Sequence, residues 1–128
     1  MRASATSLTD LFGVGPIIAG MLIGYTGDID RFANRDSYAA YNGTAPVEFS
    51  SGGRTVHRLS ERGNRQLNHA IHMAAICQLR QPHCDGRAYF ERRVKEGKTN
   101  KEAIRSLKGQ ISNAVYRRLV ADARRARV

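Results

Sequence analysis

The feature that most constrains the fold is an apolar stripe near the C-terminus that recurs at helical spacing. Its members are Ile104, Leu107, Ile111, Val115 and Leu119. Because these residues follow one another by three or four positions, they share one face of a helix that covers about residues 100–125. An apolar helix face has to be covered by other elements of the chain. The stripe therefore predicts a packed helical domain.

Further helices are predicted along the rest of the chain, each bounded by glycine, proline or asparagine. They are a short helix with Leu8, Leu11 and Phe12, then helices over about residues 16–27, 34–42, 62–80 and 86–96. Ser7 or Thr9 is the predicted cap of the first helix. The helix of residues 62–80 has its own apolar face, formed by Leu67, Ile71, Ala74, Ala75 and Leu79.

Residues 44–60 interrupt this helical pattern. They contain Pro46, two adjacent glycines and the weakly alternating stretches PVEF and TVHRL. Such a pattern is typical of an extended loop or a small hairpin, here around Gly52-Gly53. The predicted fold class is therefore mainly α, with a central irregular loop or small hairpin.

Charge is distributed unevenly over the 128 residues, which carry a net charge of +10. Residues 1–53 hold 3 basic and 5 acidic side chains, whereas residues 54–128 hold 18 basic and 6 acidic ones. A field of this sign attracts polyanions, of which nucleic acid is the commonest. A ribosome-associated RNA-binding protein would fit the charge as well, so charge alone predicts a partner class and no reaction.

The chain has no apolar run long enough for a membrane span and no N-terminal signal pattern, so we expect a cytoplasmic protein with no membrane partner. Cys77 and Cys84 are too few for a disulfide framework. Together with His72 and His83 they could be imagined to bind zinc, but the paired short spacings of zinc sites are missing. Cys77 lies in an apolar run, where a free cysteine behaves as a small hydrophobe. We therefore predict no metal site.

The first candidate site is the segment LFGVGPIIAGML, residues 11–22, which resembles a helix-hairpin-helix element. Gly13 and Gly15 would keep the hairpin tight, and free backbone N–H groups at Val14, Gly15 and Ile17 would point at a phosphate. Such an element binds the sugar-phosphate backbone without reading sequence. A plain αα-hairpin that packs the core is the alternative, and the two interpretations are compatible.

The second candidate site is the Ser-Ser-Gly-Gly stretch with the basic residues that follow it. Ser50 or Ser51 could act as a nucleophile towards phosphorus, and Gly52-Gly53 would permit close backbone approach. Cations that could hold the phosphate charge are Arg54, Arg58, Arg62 and Arg65, and His57 could serve as an acid or base. On the residues alone, a solvated turn is the better interpretation.

Several motifs occur in a characteristic order along nearly the whole chain. They are Gly-x-Gly-Pro at 13–16, Gly-Asp-x-x-x-Phe at 27–32, Ala-Ala-Tyr-x-Gly at 39–43, Ser-Ser-Gly-Gly at 50–53, Ser-x-Arg-Gly-Asn at 60–64 and AYFERRVKEGKTNKEAI at 88–104. In this order they resemble the C-terminal domain of the insertion-sequence 110 family of transposases. The resemblance implies a single domain over residues 1–128, with a helix-hairpin-helix at about 7–27, a serine loop at about 44–60 and a helical remainder at 62–125.

The function that the resemblance implies is DNA recombination in transposition. The domain would bind DNA, work with a bridge RNA, and attack DNA through a serine of the Ser-Ser-Gly-Gly loop. Ser50 is the preferred nucleophile, because family members tolerate threonine more readily at the position of Ser51. The alternative is a noncatalytic helix-hairpin-helix module that only binds nucleic acid.

The sequence also departs from the family pattern. Nothing in it corresponds to the family's N-terminal nuclease-like domain, whose acidic residues bind magnesium, and the match begins almost at Met1. We therefore expect a truncated form that is inactive alone and has no cofactor of its own, with magnesium in the missing domain and a homo-oligomer when the protein is full length. Glu61 stands where a lysine is usual, and Asn42 replaces a small apolar residue.

Overall fold

A computed structural model describes residues 7–11, 13–45 and 61–126 of the chain, residues 61–64 by their backbone alone. These residues contain five α-helices and no strand, which confirms the mainly α fold. The helices are α1 (Pro16–Thr26), α2 (Arg35–Asn42), α3 (Glu61–Leu79), α4 (Asp85–Lys95) and α5 (Asn100–Ala126). A 3-10 turn at Leu8–Asp10 precedes α1, and another at Ile29–Arg31 lies between α1 and α2. The predicted hairpin around Gly52-Gly53 lies outside the described residues.

The helix boundaries follow from local signals in the sequence. Pro16 occupies the first position of α1, where its missing N–H costs no hydrogen bond. The side chain of Asn34 caps α2 by accepting the backbone N–H of Ser37 at 2.9 Å. Gly43 ends α2 in the left-handed conformation, at φ +79°. The five helices from α1 onward accordingly begin and end close to their predicted positions.

The first predicted helix is wrong in type, because only the 3-10 turn Leu8–Asp10 is formed. Ser7 stands at its N-cap position, but the Ser7 side chain makes no cap hydrogen bond. Leu11 already has an extended backbone, and its carbonyl accepts the N–H of Val14 at 3.1 Å. The chain therefore turns at Gly13 before a full helical turn can follow.

Helix α3 lies at the centre of the domain and packs against each of the other four helices. Its predicted stripe is confirmed, since Leu67, Ile71, Ala74 and Ala75 are fully buried. The stripe of α5 is buried in its middle, at Leu107, Ile111 and Val115, and half-buried at its two ends. The two stripes meet in one apolar core.

Helix α1 shows where helical periodicity fails to predict burial. Ile18 and Leu22 are buried, whereas Ile17 is 79% exposed and Tyr25 is 42% exposed. Most α1 positions carry apolar side chains or glycine, so the sequence pattern cannot indicate which face the core covers.

An aromatic cluster packs against the C-terminal end of α1. The Arg31 guanidinium stacks over the Phe32 ring at 4.6 Å and donates to the Thr26 carbonyl through Nε at 3.2 Å and Nη2 at 2.9 Å. The Tyr38 hydroxyl shares a hydrogen bond of 2.7 Å with Thr26 Oγ1, and burial raises the pKa of Tyr38 to about 12. These contacts hold α1 against α2.

A buried polar network centred on Asn42 joins α2, α3 and α5. The Asn42 side chain donates to Ser112 Oγ at 3.0 Å. Its Oδ1 accepts the backbone N–H of Thr44 at 3.1 Å and the Thr44 hydroxyl at 2.7 Å. The Asn42 carbonyl accepts the amide of Asn68 at 3.0 Å. From the sequence, Asn42 was expected only to end a helix and to depart from the family pattern.

We predict that Asn42→Ala destabilises the fold, because it leaves the buried polar groups of Thr44 and Ser112 without their partner. The expected loss in free energy of unfolding is about 1–3 kcal/mol, measured by urea denaturation. Asn113→Ala is the matched control, since Asn113 is a half-buried asparagine of α5 outside this network. Equal losses in the two variants would contradict a structural role for the network.

Candidate nucleic-acid interface

The structure describes part of the predicted site. Ser50, Ser51, Arg54 and Arg58 lie outside the described residues, and Arg62 is described by its backbone alone. The remaining predicted residues are Gly13, Val14, Gly15, Ile17 and Arg65. The first four form one turn at the start of α1, and Arg65 lies on α3.

Gly13 fixes the turn against α3. Its φ is +87°, and a Cβ added there would lie 2.7 Å from the Ala74 carbonyl oxygen. Val14 is buried, and its N–H donates to the Leu11 carbonyl. This N–H therefore already has a partner, which leaves Gly15 and Ile17 as the predicted phosphate donors of the turn.

Gly15 and Ile17 stand at the open start of α1. Gly15 is the N-cap residue and is exposed, Pro16 has no N–H, and the Ile17 side chain projects into solvent. The first N–H groups of a helix lack intrahelical partners and attract anions. This geometry is compatible with the predicted phosphate contact, which stays a prediction, as does the helix-hairpin-helix itself.

We predict that alanine at the two glycines of this turn has different effects. Gly13→Ala should cost about 1–3 kcal/mol of stability, because its φ is positive and its Cβ would collide with α3. Gly15→Ala should be close to neutral, since no atom lies within 4 Å of the added Cβ. Thermal unfolding measures both. A Gly13→Ala variant as stable as Gly15→Ala would contradict the described turn.

The residues on either side of the serine segment, by which we mean residues 46–60 with Ser50 and Ser51, are held together. Thr44, which precedes the segment, belongs to the Asn42 network, and Asn68 of α3 binds the Asn42 carbonyl. The Lys108 ammonium on α5 donates to Asn68 Oδ1 at 2.9 Å. A cationic side chain is thereby fixed beside the point where the serine segment leaves α2.

His72 lies close to this lysine, and the pKa values of both are lowered. For Lys108, burial is the main cause and the charge of Arg105 adds to it. For His72, burial again comes first, followed by the charges of Lys108 and His69. Arg65 precedes Asn68 by three residues and His72 by seven, so it lies on the same side of α3. From the sequence, His72 was considered only as a zinc ligand, and Lys108 was not singled out.

We predict that His72 loses its proton at lower pH than a histidine in an unfolded chain. The unfolded state keeps the proton between the two pKa values, so the contribution of His72 to stability falls as pH drops through that interval. Lys108→Gln should raise the pKa of His72 towards its ordinary value, followed by NMR titration of the His72 ring. Lys95→Gln is the control and should leave it unchanged, since Lys95 is exposed at the end of α4. An unshifted His72 pKa in Lys108→Gln would exclude the electrostatic contact.

The arginines near the end of α5 differ in the contacts that they make. Arg118 donates to the Ser7 carbonyl at 3.2 Å and lies 3.5 Å from the Asp10 carboxylate. Arg125 pairs with Asp122. Arg117 and Arg124 are exposed. Arg118 therefore links α5 to the start of the described chain, whereas Arg125 is largely exposed and its pair lies within one helix.

No group of three or more His, Cys, Asp or Glu side chains that could hold a metal ion is found within the described ranges. Cys84 donates to the Gln78 carbonyl at 3.1 Å. Cys77 is exposed, which corrects its expected role as a small buried hydrophobe, because the buried side of α3 passes through Ala74 and Ala75. In the same part of the chain, no helix combines the length and apolar character that crossing a membrane requires.

Comparison with known proteins identifies the family. The model of the Transposase IS116/IS110/IS902 family matches residues 5–91, which include the glycine turn, α1, α2 and the Ser-Ser-Gly-Gly stretch. The chain therefore belongs to this family of insertion-sequence transposases.

Two curated relatives agree with this assignment. The chain is 33% identical over 112 residues to the insertion element IS110 uncharacterized 43.6 kDa protein of Streptomyces coelicolor, which covers 85% of this chain and 27% of the relative. It is 29% identical over 106 residues to the insertion element IS900 uncharacterized 42 kDa protein of Mycobacterium paratuberculosis. This second match covers 81% of this chain and 26% of the relative. The match thus spans about a quarter of the length of these relatives. No solved structure matches the chain.

Proposed function

We propose that the chain is the DNA-binding and serine-bearing domain of an insertion-sequence transposase, acting in DNA transposition. The observation that carries the proposal is the anchorage of the serine segment. Thr44 precedes this segment and helix α3 follows it. Hydrogen bonds of Asn42 and Asn68 join the two, and the Lys108 ammonium lies beside them. Functional loops depend on a rigid scaffold of this kind.

Family membership supports the same proposal. The matched residues contain both serines, and the net charge of +10 favours association with a polyanion. A bridge RNA and assembly into a homo-oligomer belong to the proposal for the full-length protein. Magnesium belongs there too, bound by the acidic N-terminal domain of that protein.

The proposed reaction is an exchange of phosphodiester bonds. The Ser50 hydroxyl oxygen attacks phosphorus, so that the Oγ–P bond forms as the bond between phosphorus and the leaving sugar oxygen breaks. A base removes the hydroxyl proton, and the leaving sugar oxygen gains a proton. The number of ester bonds is conserved, so the reverse attack by a sugar hydroxyl can rejoin the strand. Cations near the phosphate stabilise the charge on its non-bridging oxygens.

Trapping the covalent protein–DNA ester tests this proposal. The chain replaces its matched segment in the Streptomyces coelicolor relative, and the chimera is incubated with bridge RNA, magnesium and element-end DNA. We expect an adduct on denaturing gels whose modified serine is located by mass spectrometry. Ser50→Ala should abolish the adduct while DNA binding persists, and Ser51→Ala should only reduce it.

Three outcomes would change the assignment. Loss of the adduct in Ser51→Ala but not in Ser50→Ala would transfer the nucleophile to Ser51. An adduct in the double alanine variant would exclude both serines. DNA binding without any adduct in the unsubstituted chimera would favour the noncatalytic nucleic-acid-binding module.

A further inference from the structure

We propose that a groove between α3 and α5 binds a phosphodiester of the substrate DNA, an inference that rests on the proposed function. The groove has a volume of about 310 Å³. Its lining includes His72 from α3 and Lys101, Arg105 and Lys108 from α5. We call these four residues the phosphate groove.

Helical spacing brings the three cations of the phosphate groove together. Arg105 follows Lys101 by four residues, and Lys108 follows Arg105 by three, so their side chains share one side of α5. Thr44, which precedes the serine segment, also lines the groove. The cations therefore lie next to Thr44, the residue that leads into the serine segment.

Within the part of the chain that the structure describes, the lining of the phosphate groove is predominantly basic. No Asp or Glu is among its lining residues. Ion pairs between described residues engage the cations of other positions, namely Arg87, Arg93, Arg118 and Arg125. The acid nearest in sequence, Glu102, accepts the backbone N–H of Thr99 at the start of α5 and also interacts electrostatically with Arg105. Three cations against this one acid leave a net positive field for an anion in the groove.

Burial strengthens the preference for an anion. Lys108 is half-buried, and its hydrogen bond to Asn68 is made to a neutral amide. Partial desolvation and the neighbouring Arg105 both disfavour the charged ammonium. A bound phosphate would offset both effects with charge-assisted hydrogen bonds.

A second groove extends this surface and favours a polymer over a single phosphate ion. It has a volume of about 670 Å³ and shares Thr44 and Arg105 with the phosphate groove. It adds the cations Arg35, Arg93 and Lys98, alongside the acids Asp36 and Glu102. Two adjoining grooves with cations along both can follow successive phosphates of one strand.

The test compares two double variants of the full chain that each remove two positive charges. Lys101→Gln/Arg105→Gln alters the phosphate groove. Arg80→Gln/Lys95→Gln is the matched control, because both residues are exposed and lie at the ends of α3 and α4. Binding to a fluorescent element-end DNA duplex is measured by anisotropy over a range of salt concentrations, with circular dichroism to verify folding.

We expect the groove variant to bind DNA about tenfold more weakly and to lower the slope of log K against log salt by about 2. The control should lose less than about threefold in affinity. The charge-retaining variant Lys101→Arg/Arg105→Lys should bind like the unsubstituted chain, which separates a charge effect from a folding effect. Equal losses in groove variant and control would overturn the proposal.

A structured RNA of matched length is the second probe. Loss of RNA binding with unchanged DNA binding in the groove variant would overturn the proposal in favour of an RNA site. The binding assay includes no covalent step, so it reports on the phosphate groove even if the serine chemistry proposed above is absent. Conversely, an adduct that forms at full yield in the groove variant would leave the serine mechanism intact and exclude the groove from substrate binding.

Discussion

The side-chain amide of Asn42 is the interaction on which the arrangement of the domain depends. It joins the end of α2 to α5 through Ser112, and the adjacent carbonyl of Asn42 joins α2 to α3 through Asn68. A buried amide is costly unless all its partners are present, so one relative placement of the three helices is strongly favoured. Lys108 is attached to the same network through Asn68, and the position of its charge is therefore set by the core.

Most of the fold could be predicted because its boundaries are local. Pro16 and Asn34 begin helices and Gly43 ends one by mechanisms that involve only neighbouring residues. The burial of α1 could not be predicted, because nearly every side of this helix is apolar. The 3-10 turn at Leu8–Asp10 was also missed, because the packing of Gly13 against α3 ends the first helix early. Contacts between distant residues decided both cases.

The family resemblance rests largely on residues that shape the fold. Gly13 and Gly27 have positive φ, Phe32 packs against Tyr38, and Gly43 caps α2. These motifs identify the family without locating its chemistry. Lys101, Arg105 and Lys108 of α5 were overlooked because their helical spacing equally fits a solvated surface. Only the folded structure shows that α3 and Thr44, which leads into the serine segment, lie beside these cations.

The contact between Ser7 and Asp122 has a consequence for how this domain can be joined to others. The Ser7 N–H donates to the Asp122 carboxylate at 2.8 Å, so the two ends of the described chain lie side by side. A domain whose ends meet can be inserted into a loop of a host protein, or fused at either end, with little distortion. For this domain, polypeptide added before Ser7 and after α5 would therefore enter and leave at neighbouring places on the surface.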